Sequence, residues 1–330
     1  MKLSDLEKEC GSLILEQKGD TDVKLPVMDS RVKNENGLFC CISGARFDAH
    51  DFAAQAVTNG AVALAVERFL PLDVPQIRVK NMREAFGPIC AALYGHPSRS
   101  MKMVGITGTK GKTTTSYLIK SILEHAGMKC GLIGTTGNMI GDRPIHGNMT
   151  TPEADELQSL LRRMADEQVD AVVMEVSAHA TAMHRVDGVV YDVACYTNLS
   201  QDHLDYFGSM EQYFEAKKIF FTPFYARNAV LNADEETTAQ ILRDTVLPYH
   251  TFGIRANADC YARDIEISEQ GVAFCLHMGE LGECDVHMHM TGIFNVYNAL
   301  TAASAAAALG VSLEAIAAGL EAVRAVPGRA

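Results

Sequence analysis

Apolar positions along the chain gather in short runs separated by amphipathic stretches, the pattern of strands alternating with helices. Residues 37–42 (GLFCCI), 61–66 (AVALAV) and 76–80 (QIRVK) predict strands, with helices over 51–61 and 82–94, so the first part is a small α/β unit. Residues 96–100 (HPSRS) then combine a proline with small and basic residues directly before a strong apolar strand, MKMVGITG. That change of texture predicts a domain boundary, giving domains over 1–97 and 98–330.

Beyond it the alternation continues. Strands are predicted at KMVGIT, CGLIG, DAVVMEV, DVACYTN and AVLNA, and helices over 112–126, 156–167 and 210–220. Such alternation predicts a doubly wound, mostly parallel sheet. Residues 258–290 alternate with period two (VAFCLHM, CDVHMHM), which predicts an antiparallel insertion, and an Ala-rich helical pair follows over 295–309 and 312–323. The fold class is α/β throughout.

Composition narrows the function. The chain has 330 residues, 48% hydrophobic and 21% charged, with a formal net charge of −12, which argues against nucleic acid as a partner. The first residues lack a secretory signal and no apolar run spans a bilayer, so the expectation is a cytoplasmic, monomeric protein without membrane insertion. Nine cysteines, scattered and odd in number, suit reduced thiols.

The strongest local signal runs from Gly105 to Thr114, GITGTKGKTT, a glycine-rich turn between an apolar strand and a helix. Backbone N–H groups of such a turn converge on an anion, Lys112 reaches the outer phosphates, and the Thr113 hydroxyl suits Mg²⁺. The strict Walker spacing fails, because its first glycine would fall at Ile106. Glu175 closes a predicted strand at the end where α/β sheets place ligands, and His203 sits in NLSQDHLD with Asp202 and Asp205 able to orient its ring. Plainer readings stand beside these: a solvated strand-end glutamate, a surface histidine, a helix cap for Asn295 and Asn298, and a turn cap for Asp29-Ser30-Arg31. His287, His289 and Cys284 read as a strand face rather than a metal site.

The loop T-G-T-x-G-K-T-T resembles the central domain of the Mur ligase family. Further matches follow in order at TTPE (150–153), MEVSAH (174–179), HR (184–185), TNLSQDHLDY (197–206), EAK (215–217), NAD (232–234), GIFNVYN (292–298) and VPGR (326–329). Asp29-Ser30-Arg31, Leu38-Phe39 and Gly44 resemble the MurE-type uridine-diphosphate domain. The resemblance implies an ATP- and Mg²⁺-dependent ligase that joins a diamino acid, L-Lys or meso-diaminopimelate, to UDP-MurNAc-L-Ala-D-Glu through an acyl phosphate in peptidoglycan synthesis. By it, the residues at ATP are Thr107, Gly108, Thr109, Lys110, Gly111, Lys112, Thr113, Thr114, Asn295, Asn298 and Arg329. Thr113, Glu175, His203 and a carbamoylated Lys217 would hold the metal, with Lys218 adjoining as the competing position. The UDP-MurNAc-peptide would meet Met28, Ser30, Arg31, Ala45, Arg46, Phe47, Thr150, Thr151, Ser177, Met183 and Arg185. The family's C-terminal domain, which follows VPGR, is not expected within these residues. Two other readings are a UDP-precursor and ATP binding module that does not turn over, and a related ligase such as a folylpolyglutamate or cyanophycin synthetase.

Overall fold

A computed structural model describes residues 1–44, 47–145, 147 and 149–328. The chain divides into two compact units: residues 1–97 with 153–163 and 183–189 form the first, and 98–152, 164–182 and 190–330 the second. The break near residue 97 falls in the HPSRS segment. The two later segments join the first unit because Ala154 sits in its apolar core and the Asp187 backbone is packed against Gly87 too closely to admit a β-carbon; sequence reading had put them with the second.

In the first unit β1 (Ile14–Lys18), β2 (Leu25–Val27), β3 (Gly37–Cys40), β4 (Ala61–Val66) and β5 (Gln76–Val79) form one sheet in the order β1-β5-β4-β3-β2, parallel except for β1. α1 (Leu3–Cys10), α2 (Ala53–Thr58) and α3 (Met82–Leu93) flank it. β3 is buried at every position, as a strand covered on both faces must be. Asn81 starts α3 by accepting from the Arg83 and Glu84 amides.

The second unit carries β6 (Lys102–Thr107), β7 (Cys130–Gly134), β8 (Gly137–Ile140), β9 (Arg143–Ile145), β10 (Ala171–Glu175), β11 (Val193–Tyr196), β12 (Ala229–Asn232), β13 (Tyr249–Gly253), β14 (Cys260–Ser268), β15 (Gly271–His277) and β16 (Glu283–Met288). Their order is β16-β15-β14-β13-β12-β11-β6-β10-β7-β8-β9. The strands from β7 to β14 by way of β10, β6, β11, β12 and β13 are parallel. The antiparallel strands expected between 258 and 290 continue this sheet at one edge, and the β8–β9 hairpin forms the other edge. Sequence reading missed that hairpin because β9 is three residues long and barely apolar.

Helices α4 (Lys112–His125), α5 (Ala154–Asp166), α6 (Ala178–Ala182), α7 (Leu204–Phe207), α8 (Met210–Lys218), α9 (Thr238–Asp244), α10 (Ile293–Ala308) and α11 (Leu313–Ala322) complete the chain. The side chains of α4, α10 and α11 share one apolar core with β6, β10 and β11. β6 lies between β10 and β11, so Thr107, Glu175 and Tyr196 end side by side where successive connections leave in opposite directions. Open α/β sheets bind ligands at such a switch point.

Gly319 of α11 has a place in this packing that only hydrogen fills, since a β-carbon there would lie 2.3 Å from the Ile122 Cα of α4. Gly319→Ala is therefore expected to lower stability by about 2 kcal/mol, although alanine favours helices by nearly 1 kcal/mol. Urea unfolding checks this, and a neutral or stabilising result would contradict the contact.

Candidate functional site

At the end of β6 the chain turns through residues 108–111 into α4. Gly108 has φ +148° and a β-carbon there would fall 1.9 Å from Thr197 Oγ1; Gly111 has φ +86° and would meet Asn298 Oδ1 at 2.4 Å. Both positions need glycine for conformation and for space. The turn is held from the segment after β11: Asn198 O accepts from Thr109 N at 2.9 Å, and Asn198 Oδ1 from Lys110 N at 2.9 Å. The Thr197 hydroxyl (2.8 Å) and Asn198 Nδ2 (3.0 Å) donate to Lys110 O.

Two lysines converge on this turn. Lys112 Nζ donates to Gly108 O at 2.8 Å and Thr109 O at 3.1 Å, and Lys217 Nζ donates to the same Gly108 O at 3.0 Å. Lys217 is 1% exposed, and its Nζ lies 4.4 Å from the centre of the Tyr213 ring. Burial, with the Lys112 charge beside it, pushes the Lys217 amine well below the usual lysine range. Lys218 lies outside this environment. It pairs with Glu215 and Asp244, each at 2.8 Å, and hydrogen bonds to Asp244 and Glu215 raise its pKa.

Glu175, 1% exposed, accepts from Thr135 N at 2.9 Å and Thr135 Oγ1 at 3.0 Å. Those bonds fix its carboxylate and leave further lone pairs for a ligand. His203 is half-exposed with φ +52°; its Nε2 lies 3.5 Å from Asp202 Oδ2, and its ring packs edge-on to His179 at 5.0 Å. Asp205 instead sits in the first turn of α7.

Lys110, Lys112, Thr113, Thr114, Glu175, His203, Asn295 and Asn298 line one cleft of about 1120 Å³ in the second unit. Asp234, Arg255, Tyr297 and Arg324 line it too; Asp234 and Tyr297 lie in the NAD and GIFNVYN matches without having been singled out, and Arg255 and Arg324 carried no motif. Burial would raise the Asp234 carboxyl, but bonds from the Ile254, Arg255 and Ala256 amides and the Tyr297 hydroxyl outweigh it and hold the group below the ordinary range. In the first unit a cleft of about 840 Å³ is lined by Met28, Ser30, Arg31, Phe47, Phe52 and Gln55 among others. Arg31 binds Asp29 through two nitrogens at 2.9 and 2.7 Å, and the Ser30 hydroxyl donates to Gln55 at 3.1 Å.

Residues 106–306 match the Mur ligase middle domain. Over 336 residues the chain is 42% identical to the UDP-N-acetylmuramoyl-L-alanyl-D-glutamate--2,6-diaminopimelate ligase of Geobacillus thermodenitrificans, covering 100% of this chain and 68% of that relative. The chain belongs to the Mur ligase family. The Bacillus velezensis ligase of the same name is 41% identical, covering 94% of this chain and 64% of its own length. A solved structure of a ligase with that name superposes with a TM-score of 0.83 at 28% identity, covering 93% of this chain and 64% of the other. A MurF structure from Acinetobacter baumannii follows at 0.69 and 26%, covering 99% and 69%. This Mur ligase chain thus spans about two thirds of the length of these relatives.

Within the Mur ligase chain, Thr150 and Thr151 sit beside Glu175 rather than among the first unit's residues. Thr151 is buried and donates to Glu175 O at 3.0 Å while accepting from Ser177 N at 3.2 Å; Thr150 pairs with Thr135 at 3.2 Å, and Ser177 Oγ accepts from Ala180 N at the start of α6. Met183 and Arg185 belong to the first unit, where Arg185 pairs with Glu153 at 2.9 Å. Neither asparagine of α10 caps that helix: Asn298 Oδ1 accepts from Thr115 and its Nδ2 donates to Asn295 Oδ1, while Asn295 donates to Thr291 O. Thr107 ends β6, 1% exposed. Ala45, Arg46 and Arg329 lie outside the described residues. No helix among the described residues is long and apolar enough to cross a membrane.

A depressed lysine binds fewer protons folded than unfolded, so the folded state gains stability as pH rises from the folded pKa towards the ordinary lysine value and loses it as pH falls. In CO2-free buffer, Lys217→Met should raise the melting temperature at pH 7 and flatten its rise between pH 7 and 10. Lys218→Met should leave that slope in place.

Proposed function

We propose that this chain provides the ATP-binding and UDP-sugar-binding parts of a cytoplasmic ligase that adds meso-diaminopimelate to UDP-MurNAc-L-Ala-D-Glu. The observation that carries the reading is the convergence of Lys112 and the buried Lys217 on the Gly108 carbonyl, together with a cleft that Lys112, Glu175 and His203 line. The names of the relatives favour diaminopimelate over L-Lys as the diamino acid.

In this reading the nucleotide phosphates lie along residues 108–114, where the start of α4 and Lys112 offset their charge. A carboxylate oxygen of D-Glu attacks the γ-phosphorus, the bond to ADP breaks, and an acyl phosphate forms. The amine of diaminopimelate attacks its acyl carbon, phosphate leaves, and the amine's proton passes to solvent. Positioning and electrostatics supply most of the catalysis.

The donors fit Mg²⁺, which prefers oxygen and keeps several waters. The Thr113 hydroxyl and the Glu175 carboxylate would hold it, with His203 nearby, and among the described residues no cluster of three or more His, Cys, Asp or Glu offers a softer-metal site. When bound, Mg²⁺ neutralises charge developing on the phosphates. An ammonium at Lys217 does not suit this role. A neutral amine there attacks CO2: an N–C bond forms, one C=O electron pair moves to oxygen, and a proton leaves, giving a carbamate anion. The burial of Lys217 supports that chemistry because it favours the uncharged amine.

Met28, Ser30, Arg31 and Phe47 would meet the uridine nucleotide in the first unit, with Phe47, 71% exposed, offering a ring face. Nine free cysteines, seven of them buried, suit a reducing cytoplasm.

Phosphate release with UDP-MurNAc-L-Ala-D-Glu, ATP and diaminopimelate tests the reading. Lys112→Ala should lower it at least about a hundredfold, and L-Lys should support it far less. Retained activity in Lys112→Ala, or release that needs a folate or cyanophycin acceptor instead, would overturn it.

A further inference from the structure

Tyr213 has been given no role by the motifs around it, yet it touches Thr109, Lys217 and His203. It lies in α8, 1% exposed. Its hydroxyl is 3.2 Å from Thr109 Oγ1, and that oxygen also accepts from Ser200 N at 3.0 Å and faces Ser200 O at 3.2 Å. Thr109 Oγ1 has one proton, so when it donates to Ser200 O the tyrosine donates to it. The face of the Tyr213 ring lies against Lys217 Nζ, 4.4 Å from the ring centre, and the His203 ring is centred 6.0 Å away at an interplanar angle of 71°.

The polar end of Tyr213 therefore holds the phosphate turn, and its apolar body holds Lys217 at the Gly108 carbonyl. A flexible lysine stem loses about 2 kcal/mol of rotamer freedom when fixed, and a buried ring beside it removes alternatives before any ligand arrives.

We propose that Tyr213 is a positioning residue with two separable actions: its hydroxyl sets the phosphate turn for nucleotide, and its ring sets Lys217 for carbamate formation. The second action rests on the carbamate reading above, and the first does not.

The chain carrying Tyr213→Phe or Tyr213→Leu tests both actions, read by ADP titration and by ¹³C NMR of the carbamate carbon after addition of ¹³C-bicarbonate. Tyr213→Phe should weaken ADP about fivefold, the worth of one hydrogen bond, and keep the carbamate signal. Tyr213→Leu should weaken ADP similarly and lose the signal at the same bicarbonate concentration. Thr109→Val, which also loses both bonds to Ser200, should weaken ADP at least as much as Tyr213→Phe, and the double variant should be no weaker than Thr109→Val alone, because the Tyr213 bond is already gone there. Wild-type ADP affinity in Tyr213→Phe, additive losses in the double variant, or an undiminished carbamate signal in folded Tyr213→Leu would each overturn the proposal. If the unsubstituted chain gives no carbamate signal, the lysine assignment fails and with it the ring's action, while the ADP arm still decides the hydroxyl's. Should Tyr213→Leu fail to fold, the Phe and Val variants decide the hydroxyl's action and the carbamate signal of folded Tyr213→Met decides the ring's.

Discussion

The second unit depends on one carbonyl. Gly108 O accepts from both Lys112 and Lys217, which places two amines within one hydrogen-bond shell in a setting where water is scarce. Like charges at such a distance repel strongly in a low dielectric, and the arrangement is easiest to satisfy when only Lys112 is charged. Burial, with the Lys112 charge beside it, lowers the Lys217 pKa and so favours its uncharged form.

Much around the carbonyl keeps it in place. The glycines at 108 and 111 allow the turn to approach Thr197 and Asn298, and Thr197 and Asn198 fasten it from the adjoining strand. Tyr213 and Ser200 fasten Thr109. These bonds cross the sheet's switch point between β6 and β11, so the sheet topology and the shape of the phosphate turn support each other. Asp234 acts likewise in the cleft lining, accepting from the amides of residues 254–256 and from the Tyr297 hydroxyl of α10.

The fold was readable where periodicity was strong. The helices expected over 82–94 and 112–126 end within one residue of α3 and α4, and the buried parallel strands fall on the apolar runs, since continuous apolar runs bounded by glycine leave little choice. The β8–β9 hairpin was not readable, because short edge strands bury few side chains. The glycine turn between β6 and α4 was legible because its conformational demands are local. The choice between Lys217 and Lys218 was not, because adjacent identical residues differ only in which helix face is buried, and that depends on α8 packing against the turn. Capping was the plainer alternative for Asn295 and Asn298, and the fold shows instead that Asn298 meets Thr115 of α4 while Asn295 bonds Thr291 O.

The two clefts lie in separate units with different linings, one rich in phosphate-directed groups and one built around Ser30, Arg31 and Phe47. If each serves its own nucleotide, ADP with Mg²⁺ and a uridine diphosphate should bind this chain together. Calorimetric titration of each nucleotide, alone and with the other saturating, measures this directly. One ADP and one UDP per chain without mutual displacement is the predicted result; displacement of ADP by UDP, or binding of ADP alone, would contradict the account.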